Sequence, residues 1–456
     1  MFTLTEKRIV LIASTAASFL TPLMASSVNI ALPSIGHEFS LDAVTLSWIA
    51  TSAVLAAAAF LLPFGRLADI YGRRKIFLYG IGTFTLSSLT SGLAPTGPVL
   101  IASRCLQGTG ASMIFGTGIA LLISVYPPEE RGRVLGINVA ATYLGLSLGP
   151  FIGGFLTQHL GWRSLFFLNS LLGLAILVLI LFRMQSEPQD LNGEKFDAPG
   201  ALTYVVSLVL MMIGISRLPE VVGAVLLAAG FLSFAAFISW ERRIEKPLLD
   251  VSLFVENKVF AYSNVAALIN YSATYAITFL LSLYLQYVKG LEPQVAGLIL
   301  VAQPIVMTIF SPVAGRLSDS IEPRIVASVG MGIISVSLAL LAIVDESTSA
   351  LLVTVYLLVL GFGFALFSSP NTNAIMSSVE RRLYGVASAM VGTMRLTGQM
   401  VSMGIVLLIF ALTMGRVQIT LEHFPKYIQS MQVAFLVFSL FCAVGVYASL
   451  KRGKVR

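Results

Sequence analysis

Two arginines, Arg104 and Arg395, lie inside long apolar stretches of this 456-residue chain, where a charged side chain is costly and marks a candidate functional site. A guanidinium stays protonated and only donates hydrogen bonds, so it can bind anionic or carbonyl-rich solutes. It can equally hold helices together through carbonyl and amide groups. All 22 Asp and Glu residues map to loops or to the edges of the apolar stretches. Substrate contact and conformational coupling both remain open for the two arginines.

Uncharged polar side chains accompany these arginines. The ninth apolar stretch carries a stripe with helical spacing, which we expect to face the protein interior or water: Asn264, Tyr271, Tyr275, Thr278 and Ser282. Tyrosines placed in this way stack on aromatic or cationic solutes, or simply fill space between helices. The predicted substrate and coupling pathway comprises Asn29, Arg104, Gln107, Tyr143, Asn270, Tyr271, Tyr275, Gln303, Arg395 and Gln399.

The composition is that of an integral membrane protein. Hydrophobic residues make up 57% of the chain and charged residues 11%, whereas a soluble domain has roughly 25% charged residues. A membrane-spanning helix needs about 20 apolar residues, and fourteen such stretches are predicted. They cover residues 9–32, 46–65, 75–94, 98–125, 133–157, 162–182, 198–215, 221–240, 259–286, 294–315, 324–343, 348–377, 384–412 and 428–450. Both cysteines, Cys105 and Cys442, fall inside apolar stretches, so no disulfide framework is implied.

The distribution of basic residues predicts the orientation of these spans. With the N-terminus in the cytoplasm, 22 of the 29 Lys and Arg residues fall in cytoplasmic segments, 5 in external loops and 2 inside spans. This asymmetry agrees with the positive-inside rule and places both termini in the cytoplasm of a cell-membrane protein. The net charge of +7 is then a topological signal, and no nucleic-acid partner is needed to explain it.

An internal repeat predicts how the spans are organised. The sequence Gly65-Arg66-Leu67-Ala68-Asp69 recurs 250 residues later as Gly315-Arg316-Leu317-Ser318-Asp319. Eight spans separate the two copies, two more than a plain six-plus-six arrangement requires. We therefore predict an all-α membrane protein of 14 helices, with two pseudo-symmetric six-helix bundles and an inserted two-helix hairpin. The predicted domains are residues 1–183, the linker with the hairpin at 184–258, and residues 259–456.

Residues around the two repeat copies are candidates for gating. Gly65 is expected to let two helices approach closely. Asp69, placed at a helix N-terminus, would accept backbone N–H bonds, and Arg73 and Arg74 would pair with acids such as Glu129 or Glu130. Such a latch would favour one of two access states. Alternatively, the basic residues serve only the membrane topology.

A glycine stripe in the fifth span is the other candidate gating element. Gly145, Gly149 and Gly153 recur every four residues, and Pro150 removes one backbone donor beside them. A smooth, bendable face suits a helix that moves against its neighbour, and it also suits simple close packing. The predicted gating set is Gly65, Asp69, Arg73, Arg74, Gly145, Gly149, Pro150, Gly153, Gly315 and Asp319.

Six sequence strings in this order resemble the motifs of the major facilitator superfamily, and of its fourteen-span drug:proton antiporter branch in particular. They are "VNIALPSI" at 28–35, "GRLADIYGRRK" at 65–75, "RCLQGTGA" at 104–111, "GLSLGPFIGG" at 145–154, "WRSLFFLN" at 162–169 and "GTMRLTGQ" at 392–399. The resemblance implies a secondary active transporter, alternating in access, that exports small amphipathic compounds and confers multidrug resistance. Its implied partners are a small-molecule substrate, the lipid bilayer and protons, and a monomer is expected.

One departure from that branch bears on energy coupling. Related antiporters carry an acid five residues before the Asn of the first-span motif, and here that position is Met24. The three histidines fall in external loops or at their edges, so Asp69 and Asp319 are the nearest remaining acids. An anionic metabolite carrier or an uncoupled facilitator is therefore the alternative function, and a transporter-like sensor is a minor one.

Other classes of function have no sequence support. No loop of the GxxxxGK[ST] type occurs for ATP binding, and no Cys and His residues have metal-ligand spacing. No core acid is available for an enzyme's general base. We predict neither a cofactor nor enzymatic activity.

The predicted topology can be tested by cysteine accessibility. A cysteine placed at Gly193, in the predicted cytoplasmic linker, should resist a membrane-impermeant thiol reagent added to intact cells. A cysteine placed at Lys289, in a predicted external loop, should react and serves as the positive control. External labelling at position 193 would refute the topology.

Overall fold

The computed structural model describes residues 4–183, 196–244, 247–249, 252–380 and 384–453, and the regular structure within these ranges is helical. The first eight helices are α1 (Leu4–Phe39), α2 (Ala43–Tyr71), α3 (Arg73–Gly92), α4 (Gly97–Val125), α5 (Pro128–Leu160), α6 (Arg163–Arg183), α7 (Ala198–Ser216) and α8 (Val221–Glu241). The others are α9 (Ser252–Glu256), α10 (Lys258–Thr274), α11 (Ala276–Leu283), α12 (Pro293–Leu300), α13 (Ala302–Ser320), α14 (Pro323–Leu341), α15 (Ala350–Ser377), α16 (Tyr384–Thr413) and α17 (Phe424–Lys451).

The predicted all-helical membrane fold is confirmed. Thirteen helical segments within the described ranges are long and apolar enough to cross a membrane. The remaining predicted span, 75–94, corresponds to α3, a 20-residue helix that begins with three basic residues and is rich in Ser, Thr and Gly. Each of the fourteen predicted stretches therefore coincides with a helix or a pair of consecutive helices.

Two predicted spans are interrupted helices. The ninth comprises α10, α11 and a π-helical turn at Tyr284–Val288, and the tenth comprises α12 and α13. At the first interruption the backbone N–H of Ala276 donates to the hydroxyl of Ser402 on α16, at 3.0 Å in a buried position. A backbone group freed inside a membrane needs such a partner because lipid offers none.

Contacts divide the chain into two compact units. The first contains Met1–Phe39, Trp48–Val209 and Gly230–Leu249. Within it, α1 packs along α5 and also contacts α4 and α6, while α3 packs against α4 and α6. The tight turn between α2 and α3 depends on Gly72, whose φ of 102° is a conformation that other residues rarely adopt.

The second unit contains Ser40–Ser47, Leu210–Ala229 and Asp250–Arg456. Within it, α10 packs against α16 and α17, and α14 packs against α15 and α17. The same pairs of helices are in contact in the first unit. In this correspondence α10 matches α1, α14 matches α3, α15 matches α4, α16 matches α5 and α17 matches α6. The sequence repeat is therefore matched by a repeat of helix packing. The three-part domain division stays a prediction.

Matching glycines make the same contacts in both units. A Cβ on Gly110 of α4 would lie 2.9 Å from the carbonyl oxygen of Gly80 on α3, and a Cβ on Gly363 of α15 would lie 2.9 Å from that of Gly330 on α14. Gly330 follows Gly80 by 250 residues, the offset of the repeated pentapeptide. Membrane helices pack closely where small residues allow backbones to meet, so these glycines fix the corresponding helix pairs in both units.

Candidate functional site

Arg104 lies at the centre of a buried polar network in the first unit. Its side chain, 4% exposed, is on α4, and its Nε donates to the carbonyl oxygen of Ile49 on α2 at 3.2 Å. Its Nη1 donates to Oε1 of Gln107, one turn further along α4. The amide nitrogen of Gln107 donates to the hydroxyl of Ser88 on α3 at 2.6 Å, and Ser88 donates to the carbonyl oxygen of Phe84 at 2.7 Å.

This network joins three helices around a buried guanidinium. Each acceptor named above is an uncharged oxygen of a backbone carbonyl, an amide or a hydroxyl. Charge-assisted hydrogen bonds in a low-dielectric interior are stronger than neutral ones. Arg104 and Gln107, both in the predicted pathway set, are thus hydrogen-bonded to each other, and Ser88 joins them.

The other first-unit residues of the predicted pathway lie on α1 and α5. Asn29 on α1 is 5% exposed, and Tyr143 on α5 is half-buried. Met24, the residue in the place of the acid, is 1% exposed. The interior of α1 at this point is thus filled by a thioether, which cannot carry a proton.

The glycine stripe of α5 lies directly on the backbone of α1. A Cβ on Gly145 would lie 2.4 Å from the carbonyl oxygen of Phe19, and one on Gly153 would lie 2.9 Å from the Cα of Ser27. A Cβ on Gly149 would lie 2.5 Å from the Cβ of Ser26. Real Cβ atoms do not approach other atoms so closely, so each of the three positions requires glycine for this packing.

Serine hydroxyls of α1 bond the carbonyls of α5 along this contact. Pro150 has no N–H to donate to Leu146, the residue one turn earlier. The hydroxyl of Ser26 donates to that carbonyl oxygen instead, at 3.2 Å. Ser27 donates to the carbonyl oxygen of Gly149 at 2.9 Å. The proline therefore exchanges a bond within α5 for a bond between α1 and α5.

Asp69 does not occupy a helix N-terminus. It lies in the last turn of α2, and its Oδ1 accepts from Nε and Nη2 of Arg73 at 3.1 and 2.9 Å. Arg73 also reaches the carbonyl oxygen of Ala120 on α4, at 3.5 Å. The expectation that Asp69 accepts backbone N–H bonds and that Arg73 pairs with Glu130 is therefore wrong, because the acid four residues away is nearer. The side chain of Glu129 lies outside the described residues, and Arg74 is half-buried.

The glycines of the repeated pentapeptide contribute differently from the prediction. A Cβ on Gly65 would meet nothing within 4 Å, whereas a Cβ on Gly116 of α4 would lie 3.4 Å from the Cα of Gly65. That distance is an ordinary van der Waals contact. The small residue required for the approach of α2 and α4 is Gly108, whose Cβ would lie 2.0 Å from the carbonyl oxygen of Ala53. In the second copy, a Cβ on Gly315 would lie 3.0 Å from the hydroxyl of Ser369. The side chain of Asp319 lies outside the described residues.

The second-unit pathway residues are buried to different degrees. Asn270 is fully buried, and no described group bonds either atom of its amide. Tyr271 packs edge-on against Phe364 with ring centroids 5.9 Å apart. Arg395 on α16 is half-buried, which corrects the expectation that it is fully buried. Tyr275, Gln303 and Gln399 are likewise half-buried.

The charged side chains buried within the described ranges are Arg104, Glu241 and Arg452. Sequence reasoning did not single out the latter two because both lie at helix ends. Arg452 is 1% exposed and donates to Oδ1 of Asn371 at 2.8 Å and to the hydroxyl of Ser263 at 3.3 Å. Burial lowers the pKa of Arg452 to about 10, so it remains charged at neutral pH and ties the end of α17 to α15 and α10.

Comparison with known proteins places these features in a family context. The model of the Major Facilitator Superfamily matches residues 15–403 and 264–453. The riboflavin transporter RibZ of Clostridioides difficile is 28% identical over 444 residues, covering 97% of this chain and 96% of that protein. The multidrug resistance protein Stp of Mycobacterium tuberculosis is 32% identical over 87% of this chain and 74% of its own length. The cephamycin export protein CmcT of Amycolatopsis lactamdurans is 31% identical over 85% of this chain and 82% of its own length.

The ion pair of Asp69 and Arg73 gives a testable prediction. Each partner is about a third to a half exposed, and such pairs contribute only about 0.2–1 kcal/mol to stability. If the pair acts in gating, Asp69→Asn and Arg73→Gln should each lower the transport rate several-fold, with the double variant no slower than either single variant. Thermal unfolding in detergent should shift little.

The control is another exposed ion pair, Arg217 with Glu220, which lies in the turn between α7 and α8. Arg217→Gln should leave transport unchanged. Normal transport by Asp69→Asn would contradict a gating role for this pair.

Proposed function

The chain belongs to the major facilitator superfamily, and from that premise we propose that it is an alternating-access exporter of small amphipathic organic molecules that are neutral or anionic. It is a multi-pass membrane protein, and we place it as a monomer in the cell membrane with both termini in the cytoplasm. The observation that carries the substrate class is the burial of Arg104, whose guanidinium donates to a backbone carbonyl of α2 and to the side-chain oxygen of Gln107.

The charge of Arg104 favours some solutes over others. Unit charges interact more strongly as the effective dielectric constant falls. At a separation of 4 Å the interaction energy is about 4 kcal/mol near a protein surface and about 1 kcal/mol in water. A permanent dication near Arg104 would be repelled on this scale, whereas a carbonyl or carboxylate oxygen would be attracted. The half-buried Arg395 of the second unit is expected to favour and disfavour the same solutes.

The contact of α1 with α5 supports a transport role over a static one. Three glycines remove side chains from the contact, and Pro150 frees a carbonyl that a hydroxyl of α1 binds. A hydroxyl donor can exchange one carbonyl for the next as two helices shift, which an intrahelical N–H cannot do. We propose that this surface lets α5 move against α1 during the access cycle.

The names of the relatives support an organic substrate. RibZ is named for riboflavin, CmcT for cephamycin export and Stp for multidrug resistance. Riboflavin is an uncharged aromatic amphiphile, a kind of solute that the tyrosine, asparagine and glutamine side chains of the predicted pathway can stack on and hydrogen-bond. The alternative of an anionic metabolite carrier draws on the same arginine, and the buried Met24 places a side chain that cannot bind a proton in the first span.

The proposal predicts a selectivity that purified protein in liposomes can reveal. The panel is riboflavin as the neutral amphiphile, a permanent organic dication and a dicarboxylate, each measured with and without a pH gradient. We expect riboflavin to move faster than the dication by at least about tenfold, because about 1.4 kcal/mol corresponds to one factor of ten. There are two controls. One is protein-free liposomes, and the other is the variant Arg104→Lys, which keeps the positive charge but lacks the planar guanidinium.

Each other outcome selects a different function. Strong proton-driven movement of the dication would refute the charge argument. Gradient-independent movement of the dicarboxylate alone would establish the anionic carrier. Movement of no panel member, with the protein folded and correctly oriented, would overturn the proposed substrate class.

A further inference from the structure

Two carboxylates meet at the base of the inserted hairpin, where α7 begins and α8 ends. Glu241 is the last residue of α8 and is 3% exposed, and Asp197 immediately precedes α7 and is half-buried. A Cβ on Gly200 would lie 2.0 Å from Oδ2 of Asp197 and 2.8 Å from Oε1 of Glu241. The two oxygens therefore crowd the same small space above Gly200, which is free only because glycine has no side chain.

The other oxygen of each carboxylate accepts hydrogen bonds from nearby N–H groups. Oδ1 of Asp197 accepts from the backbone N–H of Gly200 and from Nε1 of Trp240, both at 3.1 Å. Oε2 of Glu241 accepts from the backbone N–H of Leu249 at 2.9 Å. The facing oxygens, Oδ2 and Oε1, are buried and accept no hydrogen bond from any described group. Each acid thus holds its own segment and turns its unbonded oxygen towards the other acid.

Two ionised carboxylates cannot remain in this arrangement without cost. Like charges that share a buried site destabilise each other, and one proton between them removes the repulsion and supplies the missing hydrogen-bond donor. An unsatisfied buried acceptor is destabilising, and one proton placed between the two oxygens satisfies both of them. Two carboxylates and one proton from solvent balance as a single shared O–H···O bond.

We propose that Asp197 and Glu241 form a proton-binding site whose occupancy fastens the base of the inserted hairpin and the segment that follows it. With the proton bound, α7 and α8 are joined at their ends and Leu249 is held against Glu241. Loss of the proton to solvent makes the two acids repel each other, separates the start of α7 from the end of α8, and releases the chain at Leu249. The ends of α7 and α8 then hold or release the chain at Leu249 according to pH.

Few other charged side chains of the described residues lie on the segments that carry the pair. Arg242 and Arg243 follow Glu241 on the same chain segment, and both are exposed. On the α7 side, Asp197 is the charged group that faces Glu241. Other charged residues of the connectors lie outside the described residues, namely Glu194, Lys195, Glu245, Lys246 and Asp250.

Trp240 reports directly on the pair because its ring nitrogen donates to Asp197. The experiment measures its fluorescence from pH 4 to pH 9 in full-length protein in which Trp48 and Trp162 are replaced by Phe. We expect one transition between about pH 5 and pH 8, where isolated carboxylates are already ionised. Glu241→Gln should abolish the transition, because a glutamine amide can donate permanently to Oδ2 of Asp197 while still accepting from Leu249. Asp197→Asn should abolish it for the corresponding reason.

The control variant is Glu220→Gln, at the opposite end of the hairpin, which should keep the transition. If the Trp replacements prevent folding, the pH-dependent difference between wild-type and Glu241→Gln spectra gives the same information. A transition that survives in both amide variants would overturn the proposal. So would a transition that shifts with sodium concentration at constant ionic strength, since the site would then bind a metal cation.

Discussion

Direct contact between helix backbones is the constraint on which the rest of this structure depends. Lipid tails are as apolar as the side chains that face them, so the hydrophobic effect does not press membrane helices together. Association has to come from close packing and from hydrogen bonds between helices. Here glycines bring α5 onto α1 and α4 onto α3, and the same pairings recur 250 residues later as α16 with α10 and α15 with α14.

The second consequence of the lipid environment is that every freed backbone group must find a partner inside the protein. Ser26 bonds the carbonyl that Pro150 leaves without a donor, and Ser402 bonds the N–H at the interruption between α10 and α11. Arg104 follows the same rule, because its guanidinium satisfies a carbonyl of α2 and an amide of α4. Irregular backbone and buried charge are therefore held by neighbouring helices.

The architecture was predictable from the sequence because it rests on long-range patterns of hydrophobicity, charge and repetition. The positions of all fourteen spans follow from such patterns. The errors concern single contacts. Asp69 was assigned to a helix N-terminus because the repeated turn was visible but the end of α2 was not. Arg395 was expected to be fully buried because it lies in an apolar stretch, and the structure leaves it half-buried.

The buried acids and bases at helix ends were not predictable in this way. Glu241 and Arg452 resemble ordinary interfacial charges in sequence, and only folding brings Asp197 to the first and Asn371 to the second. Hydropathy locates a residue along the membrane normal, and it contains no information about which other segment lies beside it.

The measurement that tests this account most directly is the transport rate of Gly149→Ala, alone and combined with Ser26→Gly. A methyl group at position 149 would lie within 3 Å of both Ser26 side-chain atoms. The account predicts that Gly149→Ala abolishes transport of the substrate carried by the wild type. The double variant should recover part of the rate of Ser26→Gly alone, because only the carbonyl oxygen of Leu23, at 3.0 Å, still crowds the methyl group. Wild-type transport by Gly149→Ala, with an unchanged unfolding temperature, would contradict the claim that α5 moves along α1 on its glycine face.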